Sequence, residues 1–370
     1  MTEWNKSVPA ALPALLRAVE AEQKSGRAAA AAARAQAHRR WATVAKPLGS
    51  LGLLETAVED AAALGQSADV SFASRSVLVL CADNGVVRQG VSQVDSAVTA
   101  AAARSIAAGR SSVGQMAALA HCAVITVDMG MQEAVLGAGL LERSIGNGTG
   151  DITEGPAMTR VQAEQAILTG AALVHAEKEN GRTLLATGEM GIGNTTTSAA
   201  VACALLGERA ETMTGRGAGL SDAGLRRKLW AVDTALTVNR PDPADALDVL
   251  TKVGGLDLAG LCGVFLGGAL YRVPVLMDGF ISTVAALCAQ RLCPAVEAAV
   301  FASHVSAEPA HAAVLQALGK KPLIAAQMRL GEGTGAVAAM PLLDMALAAY
   351  RGSTFADYGI PAYVPQEGKE

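Results

Sequence analysis

Aromatic side chains are scarce, at 3% of the 370 residues, and charged ones reach only 17%, while 51% are hydrophobic. A core short of large rings is filled by alanine, leucine and valine, which implies closely spaced helices. Excess charge is also small. With a net charge of −4 and a pI of about 5.8, the clustered basic face of a nucleic-acid binder is missing, and small-molecule chemistry is expected. The six cysteines (Cys81, Cys122, Cys203, Cys262, Cys288, Cys293) include no Cys-x-x-Cys pair. The five histidines (His38, His121, His175, His304, His311) lack metal-ligand spacing. Both facts argue against zinc or a redox pair, so buried free thiols, no metal and no cofactor are expected. No uninterrupted apolar run reaches membrane-spanning length, and the first residues lack the basic-then-apolar order of a leader, so the expectation is a cytoplasmic protein without a membrane partner.

What is present is glycine in informative places. Gly188-Glu189-Met190-Gly191-Ile192-Gly193-Asn194-Thr195-Thr196-Thr197 follows the apolar run Thr183–Ala186 and precedes the Ala/Leu-rich stretch from Ser198 to Leu206. The order strand, glycine loop, helix aims unpaired first-turn N–H groups at an anion. The loop is neither a Walker A sequence nor a dinucleotide fingerprint with three spaced glycines. A tight turn with a capped helix, Asn194 or a threonine serving as cap, explains it as well as a phosphate does. Glu189 adds something, because a carboxylate repels phosphate and is better suited to a hydroxyl or the reacting part of a substrate. A second glycine segment, Thr214–Asp222, precedes a helix carrying Arg226, Arg227 and Lys228, either a second anion contact or a solvated basic face. In a third, Arg329–Ala336, Glu332 lies among Gly331, Gly333 and Gly335 ahead of an apolar helix, so something must approach it closely.

Residues from about 10 to 63 read as alanine-rich helices broken at Lys46–Gly52. From Ser76 onward, short aliphatic runs alternate with helical stretches, the pattern of a doubly wound, mostly parallel α/β sheet with helices on both faces. Candidate strands are Val77–Leu80, Ala123–Val127, Thr183–Ala186, Val273–Met277 and Ala298–Ala302. They end in Asp83-Asn84-Gly85, Asp128-Met129-Gly130, Gly188-Glu189, Asp278-Gly279 and Ser303-His304. Ligands of open α/β sheets bind beyond the carboxyl ends of strands, so all five clusters are expected to converge on one crevice. The tail Pro365–Glu370 is expected to fray.

Several long motifs in fixed order resemble the nicotinate-nucleotide–dimethylbenzimidazole phosphoribosyltransferase family over most of the chain. They are Lys46-Pro47 with Gly49–Gly52, Gly188–Thr196, Gly215–Gly217 with Asp222–Leu225, Gly254–Asp257, Asp278–Thr283, Ala302–His304, Ser306–Pro309 and Arg329–Gly335. The resemblance implies transfer of phosphoribose from nicotinate mononucleotide to a benzimidazole nitrogen, giving α-ribazole 5′-phosphate and nicotinate for cobalamin lower-ligand activation. It also implies a homodimer, with a parallel α/β domain of residues 71–336 and a small helical lobe from residues 1–70 with 337–370. It assigns Glu332 as catalytic base with Glu189 beside it, and Gly188, Gly191, Gly193, Asn194, Thr195, Thr196, Arg216, Gly217, Lys228, Gly331 and Gly333 to the nucleotide and its phosphate. Asp83, Asn84, Gly85, Val94 and Ser303 fall to the acceptor-base region. There the sequence departs from the family: Asn84 stands where a histidine is common, and Gln93–Thr99 lacks the usual proline. The acceptor is therefore open between a benzimidazole, a purine and a phenolic base. The competing readings are one subunit of a two-chain relative, or a nucleotide-binding protein without turnover.

Overall fold

The protein is described by a computed structural model that covers residues 8–364 other than 134, 136 and 138; the tail expected to fray lies outside the described residues. Among the described residues, six parallel strands form one sheet: β1 (Arg75–Ala82), β2 (Ala123–Gly130), β3 (Leu141–Glu142), β4 (Leu184–Met190), β5 (Val275–Met277) and β6 (Val300–Ala302). Their order, β3-β2-β1-β4-β5-β6, reverses direction between β1 and β4, the switch point at which doubly wound sheets open a crevice. All five expected strands form, and the two-residue β3 joins them. The expected loop at Gly188 is instead strand, since β4 runs through Gly188 and Glu189 to Met190, pairing Leu80 with Glu189.

Helices cover both faces. Helices Ala97–Ala107, Ser112–Leu119 and Thr334–Tyr350 pack on one side; Leu256–Tyr271 and Phe280–Leu292 pack on the other. Helix Leu256–Tyr271 is apolar around its whole circumference and buried almost throughout, as a helix must be when it lies between a sheet and another helix. Its outer neighbour is Arg160–Glu179, which starts at a reciprocal capping box between Thr159 and Gln162. The long helix Leu12–Thr43 lies against Leu53–Gly65 and Leu256–Tyr271. Its end meets the C-terminal segment through an antiparallel bridge between Val44 and Thr354. The six cysteines are buried and free.

The scarcity of large side chains appears here as close backbone approach. A Cβ at Gly263 would stand 1.9 Å from the Ile167 carbonyl oxygen, and one at Gly170 would stand 1.9 Å from that of Gly260. Two helices crossing backbone to backbone cannot yield to a methyl group by moving a side chain. Gly263→Ala is therefore expected to lower unfolding stability by at least about 2 kcal/mol, within the range for overpacking a close contact. Denaturant midpoints measure this, and an unchanged midpoint would show that the helices separate freely.

Candidate active site

A cavity of about 310 Å³ opens beyond the carboxyl ends of β4, β5 and β6. Its floor comes from β4. Glu189, one residue before that strand ends, is 7% exposed and accepts a hydrogen bond from Asn194 Nδ2. The same amide nitrogen donates to Asp257 Oδ2 at 3.1 Å. One Asn side chain thus bridges two buried carboxyl groups. Burial first, and then the nearby Asp257 charge, push Glu189 up to about 8; burial pushes Asp257 up to about 6. Both shifts favour the protonated, neutral carboxyl over the carboxylate.

The helix after the loop begins at Asn194, four residues before the expected start. The glycine loop is thus only Gly191-Ile192-Gly193, with Gly193 in left-handed geometry as the cap. Asn194 does not cap this helix, because its side chain is turned to the carboxylates. Thr195 points into the cavity, where its hydroxyl accepts a hydrogen bond from Lys228 Nζ at 2.7 Å. Lys228 is 1% exposed, and burial brings its ammonium down to about 8 against the opposing pull of Glu308. Arg216, Gly217 and Arg329 line the same cavity. Gln93 closes over it by donating to the carbonyl of Ala218 at 3.2 Å and to that of Gly219.

Glu332 enters from the third glycine segment. Asp278, just past β5, accepts N–H bonds from Gly333 at 3.2 Å, Gly335 at 2.8 Å and Ala336 at 3.0 Å, so it caps helix Thr334–Tyr350. That cap presses the Gly331–Gly333 turn onto β4. A Cβ at Gly188 would come within 2.6 Å of the Glu332 carbonyl oxygen, so the glycine serves backbone approach and not a phosphate. Glu332 itself has φ +60°, a left-handed conformation costly for a residue with a Cβ. Its Oε2 is buried with no hydrogen-bond partner. Burial raises its pKa, opposed by the Val113 N–H and the Ser111 hydroxyl.

The cavity brings together Glu332, Glu189, Gly191, Gly193, Asn194, Thr195, Arg216, Gly217, Lys228 and Gly331. Gly188, Thr196 and Gly333 stay in the backbone frame behind it. The residues expected at the acceptor lie elsewhere. Asn84 is fully buried beneath the glycine turn, its amide 3.5 Å from the Ile192 carbonyl and from Thr197 Oγ1. Asp83 accepts from the Gln132 N–H at 2.8 Å, and Gly85 lies against the backbone of Thr149 and Gly150. Val94 is exposed and Ser303 fully buried. The clusters after β4, β5 and β6 converge on the cavity; those after β1 and β2 are spent on backbone N–H groups instead, Asp128 binding those of Gly130 and Met131. Asp257 was missed as a site residue, although the Gly254–Asp257 motif contained it. Among the described residues no group of His, Cys, Asp or Glu is arranged to hold a metal ion.

A family model described as Phosphoribosyltransferase matches residues 27–360. The chain is 44% identical over 329 residues to the nicotinate-nucleotide–dimethylbenzimidazole phosphoribosyltransferase of Acetivibrio thermocellus, covering 89% of this chain and 94% of that one. With the protein of the same name from a Roseiflexus species it shares 46% over 318 residues, 86% of this chain and 90% of that one. The crystal structure of CobT from Thermus thermophilus superimposes with a TM-score of 0.85 at 40% identity, covering 89% of this chain and 99% of that chain.

The titration of Glu189 is directly testable. Its pKa is raised from 4.5 to about 8 in the folded protein, so the folded state holds a proton that the unfolded chain releases. The associated stability is fully present below about pH 4.5 and is lost as pH rises to about 8. The stability of the wild type minus that of Glu189→Gln, which has no such proton, is expected to fall between pH 5 and 8 and level off above. A difference independent of pH would mean that Glu189 titrates as an ordinary carboxyl.

Proposed function

The chain belongs to the nicotinate-nucleotide–dimethylbenzimidazole phosphoribosyltransferase family, and on that premise we propose the following division of labour within its cavity. The enzyme transfers phosphoribose from nicotinate mononucleotide to a benzimidazole-type base, giving α-ribazole 5′-phosphate and nicotinate. The observation that carries the assignment of roles is the unpartnered, buried Oε2 of Glu332, held in a strained turn at the cavity wall.

The donor carries a pyridinium at C1′ and a phosphate at C5′, so it needs anionic surroundings at one end and cationic ones at the other. Lys228, Arg216 and the Thr195 hydroxyl with the N-terminus of helix Asn194–Leu206 supply the phosphate end. Phosphate beside the buried Lys228 favours its charged form, offsetting the burial that lowers it. Glu189 and Glu332 lie toward the reacting end. When the C1′–N bond breaks, its electron pair neutralises the departing pyridine ring, and nicotinate leaves without needing a proton. The ribose carbon left electron-poor is stabilised by the surrounding carboxyl groups. The donor is a β-riboside and the product an α-riboside, so the acceptor nitrogen forms its bond to C1′ on the opposite face. The proton on the imidazole must then be lost, and Glu332 takes it; a carboxylate raised by burial is better matched to that transfer than an ordinary one. Placing both substrates in one crevice removes the entropy cost of their encounter from the chemical step.

The finer assembly belongs to the same reading. A homodimer is what the family resemblance implies, and the cytoplasmic reading is consistent with there being no helix among the described residues long and apolar enough to cross a membrane. The division into an α/β domain and a small helical lobe is supported by the junction of both chain ends at Val44 and Thr354.

Nicotinate release from nicotinate mononucleotide, followed by chromatography with 5,6-dimethylbenzimidazole, benzimidazole, adenine and p-cresol offered separately, tests the proposal. Release is expected to require an acceptor, to be fastest with a benzimidazole, and to fall about 100-fold or more in Glu332→Gln, the usual scale for loss of a general base. Acceptor-dependent release that survives in Glu332→Gln would remove Glu332 from the chemistry. Lys228→Met is expected to raise the KM for the nucleotide more than it lowers kcat, and the reverse split would place Lys228 at the reacting end.

A further inference from the structure

His304 follows β6, is 3% exposed and lines the cavity, yet none of the steps above uses it. Its protonation can be worked out from its partners. The Ser303 hydroxyl donates its single proton to the Met277 carbonyl at 2.6 Å. At 3.1 Å from His304 Nδ1, the same oxygen can then only accept, so Nδ1 carries the hydrogen and the neutral ring bears its lone pair on Nε2. The neighbouring imidazole is fixed the opposite way. His311 Nδ1 accepts from the Ser306 N–H at 2.6 Å, and its Nε2 faces Thr283 Oγ1 at 2.8 Å. Thr283 passes its proton to the Gly279 carbonyl at 2.9 Å. Both nitrogens of His311 are thus consumed, and it is fully buried. His304 has only Nδ1 engaged among the described residues. Its ring cannot turn away, because it lies against Gly335 so closely that a Cβ there would be 2.0 Å from both Nδ1 and Cε1.

A fixed lone pair at a cavity wall selects for a hydrogen-bond donor. The phosphate and carboxylate of the donor nucleotide are acceptors and would be repelled. The hydrogen-bond donors the two substrates bring are the imidazole N–H, which falls to Glu332, and two ribose hydroxyls. Asp278 has little capacity left for those hydroxyls, since its Oδ1 already binds the N–H groups of Gly335 and Ala336 and its Oδ2 that of Gly333. We propose that His304 is a substrate-contacting residue whose Nε2 accepts a hydrogen bond from one ribose hydroxyl of the donor nucleotide, with Ser303 as the positioning residue that fixes its tautomer. Burial lowers the pKa of the imidazole, against the raising influence of Asp278, in keeping with a neutral ring. The inference rests on the transferase reading and makes the site selective for ribonucleotides over deoxyribonucleotides.

The test compares kcat/KM for nicotinate release by wild type, His304→Leu, His304→Gln and Ser303→Ala, using the ribo, 2′-deoxy and 3′-deoxy forms of nicotinate mononucleotide. With the ribo donor, His304→Leu is expected to lose about 10- to 100-fold, the range for stranding a buried hydrogen-bonding group. His304→Gln, whose carbonyl can reach the place of Nε2, is expected to lose much less. With one of the deoxy donors the Leu variant and the wild type should differ by no more than about 3-fold, and that donor identifies the hydroxyl. Ser303→Ala should lose activity with the ribo donor and recover parity with that same deoxy donor, which a purely structural role would not produce. If His304→Leu does not fold, the Gln and Ala variants carry the comparison. Equal losses with all three donors would overturn the role of His304. A wild type that releases no nicotinate from the ribo donor with any base would overturn the transferase reading instead.

Discussion

The site depends on one backbone clasp, the seating of the Gly331–Gly335 segment against the carboxyl ends of β4 and β5. Asp278 holds it by satisfying three of the N–H groups that a helix start leaves unpaired. Charge-assisted bonds of this kind are stronger than neutral ones and oppose the strain of Glu332 in the left-handed region, on the order of 1–3 kcal/mol. Two of the nearest approaches require glycine. At Gly188 the Glu332 carbonyl takes the place of a side chain, and at Gly335 the His304 ring does. The segment therefore positions a carboxylate and an imidazole together, and displacing either glycine moves both.

Charge is distributed along the cavity in a way that suits a zwitterionic nucleotide. One end of the cavity gathers Glu189, Asp278 and Glu332, with Asp257 buried behind Asn194. Burial first, with the charge of neighbouring carboxylates adding to it, disfavours ionisation of Glu189, Asp257 and Glu332, and their raised pKa values express that penalty. A bound pyridinium relieves it, and the relief ends when the ring leaves as a neutral species. Lys228 shows the mirror image, its ammonium disfavoured by burial until an anion arrives. The charged form at each end of the site is thus stabilised by the ligand itself, which couples binding of the donor to the charge state that the reaction needs.

Much of this was legible from sequence because strand periodicity and glycine-flanked carboxylates are local signals. The runs at Val77–Leu80, Ala123–Val127 and Val273–Met277 are short, aliphatic and bounded by polar residues, and each formed a strand. The three glycines around Glu332 correctly implied close approach. The errors came where a local signal had a distant cause. Gly188 looked like the start of a loop, whereas it is a strand residue that makes room for the carbonyl of Glu332. Asn194 looked like a cap, but its amide is drawn away by Glu189 and Asp257, the latter on a different helix. Ser303 follows a strand whose end was expected to face the crevice, yet its hydroxyl is bonded to the Met277 carbonyl and the residue is fully buried. Apart from Glu189, five residues from Asn194, these partners are remote in sequence, so no short window along the chain contains them.

The position of Asn84 changes what its departure from the family pattern means. It lies beneath the Gly191–Gly193 turn beside Asp257, where a Cβ on Gly191 would meet Asn84 Nδ2 at 3.1 Å and Asp257 Oδ2 at 3.0 Å. An imidazole there could carry positive charge toward Asp257, but an amide cannot. With an amide at 84, burial and the charge of Asp257 keep the pKa of Glu189 raised. Residue 84 does not line the cavity. From the same stretch of chain, Val91, Ser92 and Gln93 line it instead. Gln93 is tied to the carbonyls of Ala218 and Gly219, so the segment 91–93 is anchored to the loop that carries Arg216 and Gly217 across the cavity. A ligand that displaces either segment therefore disturbs the other.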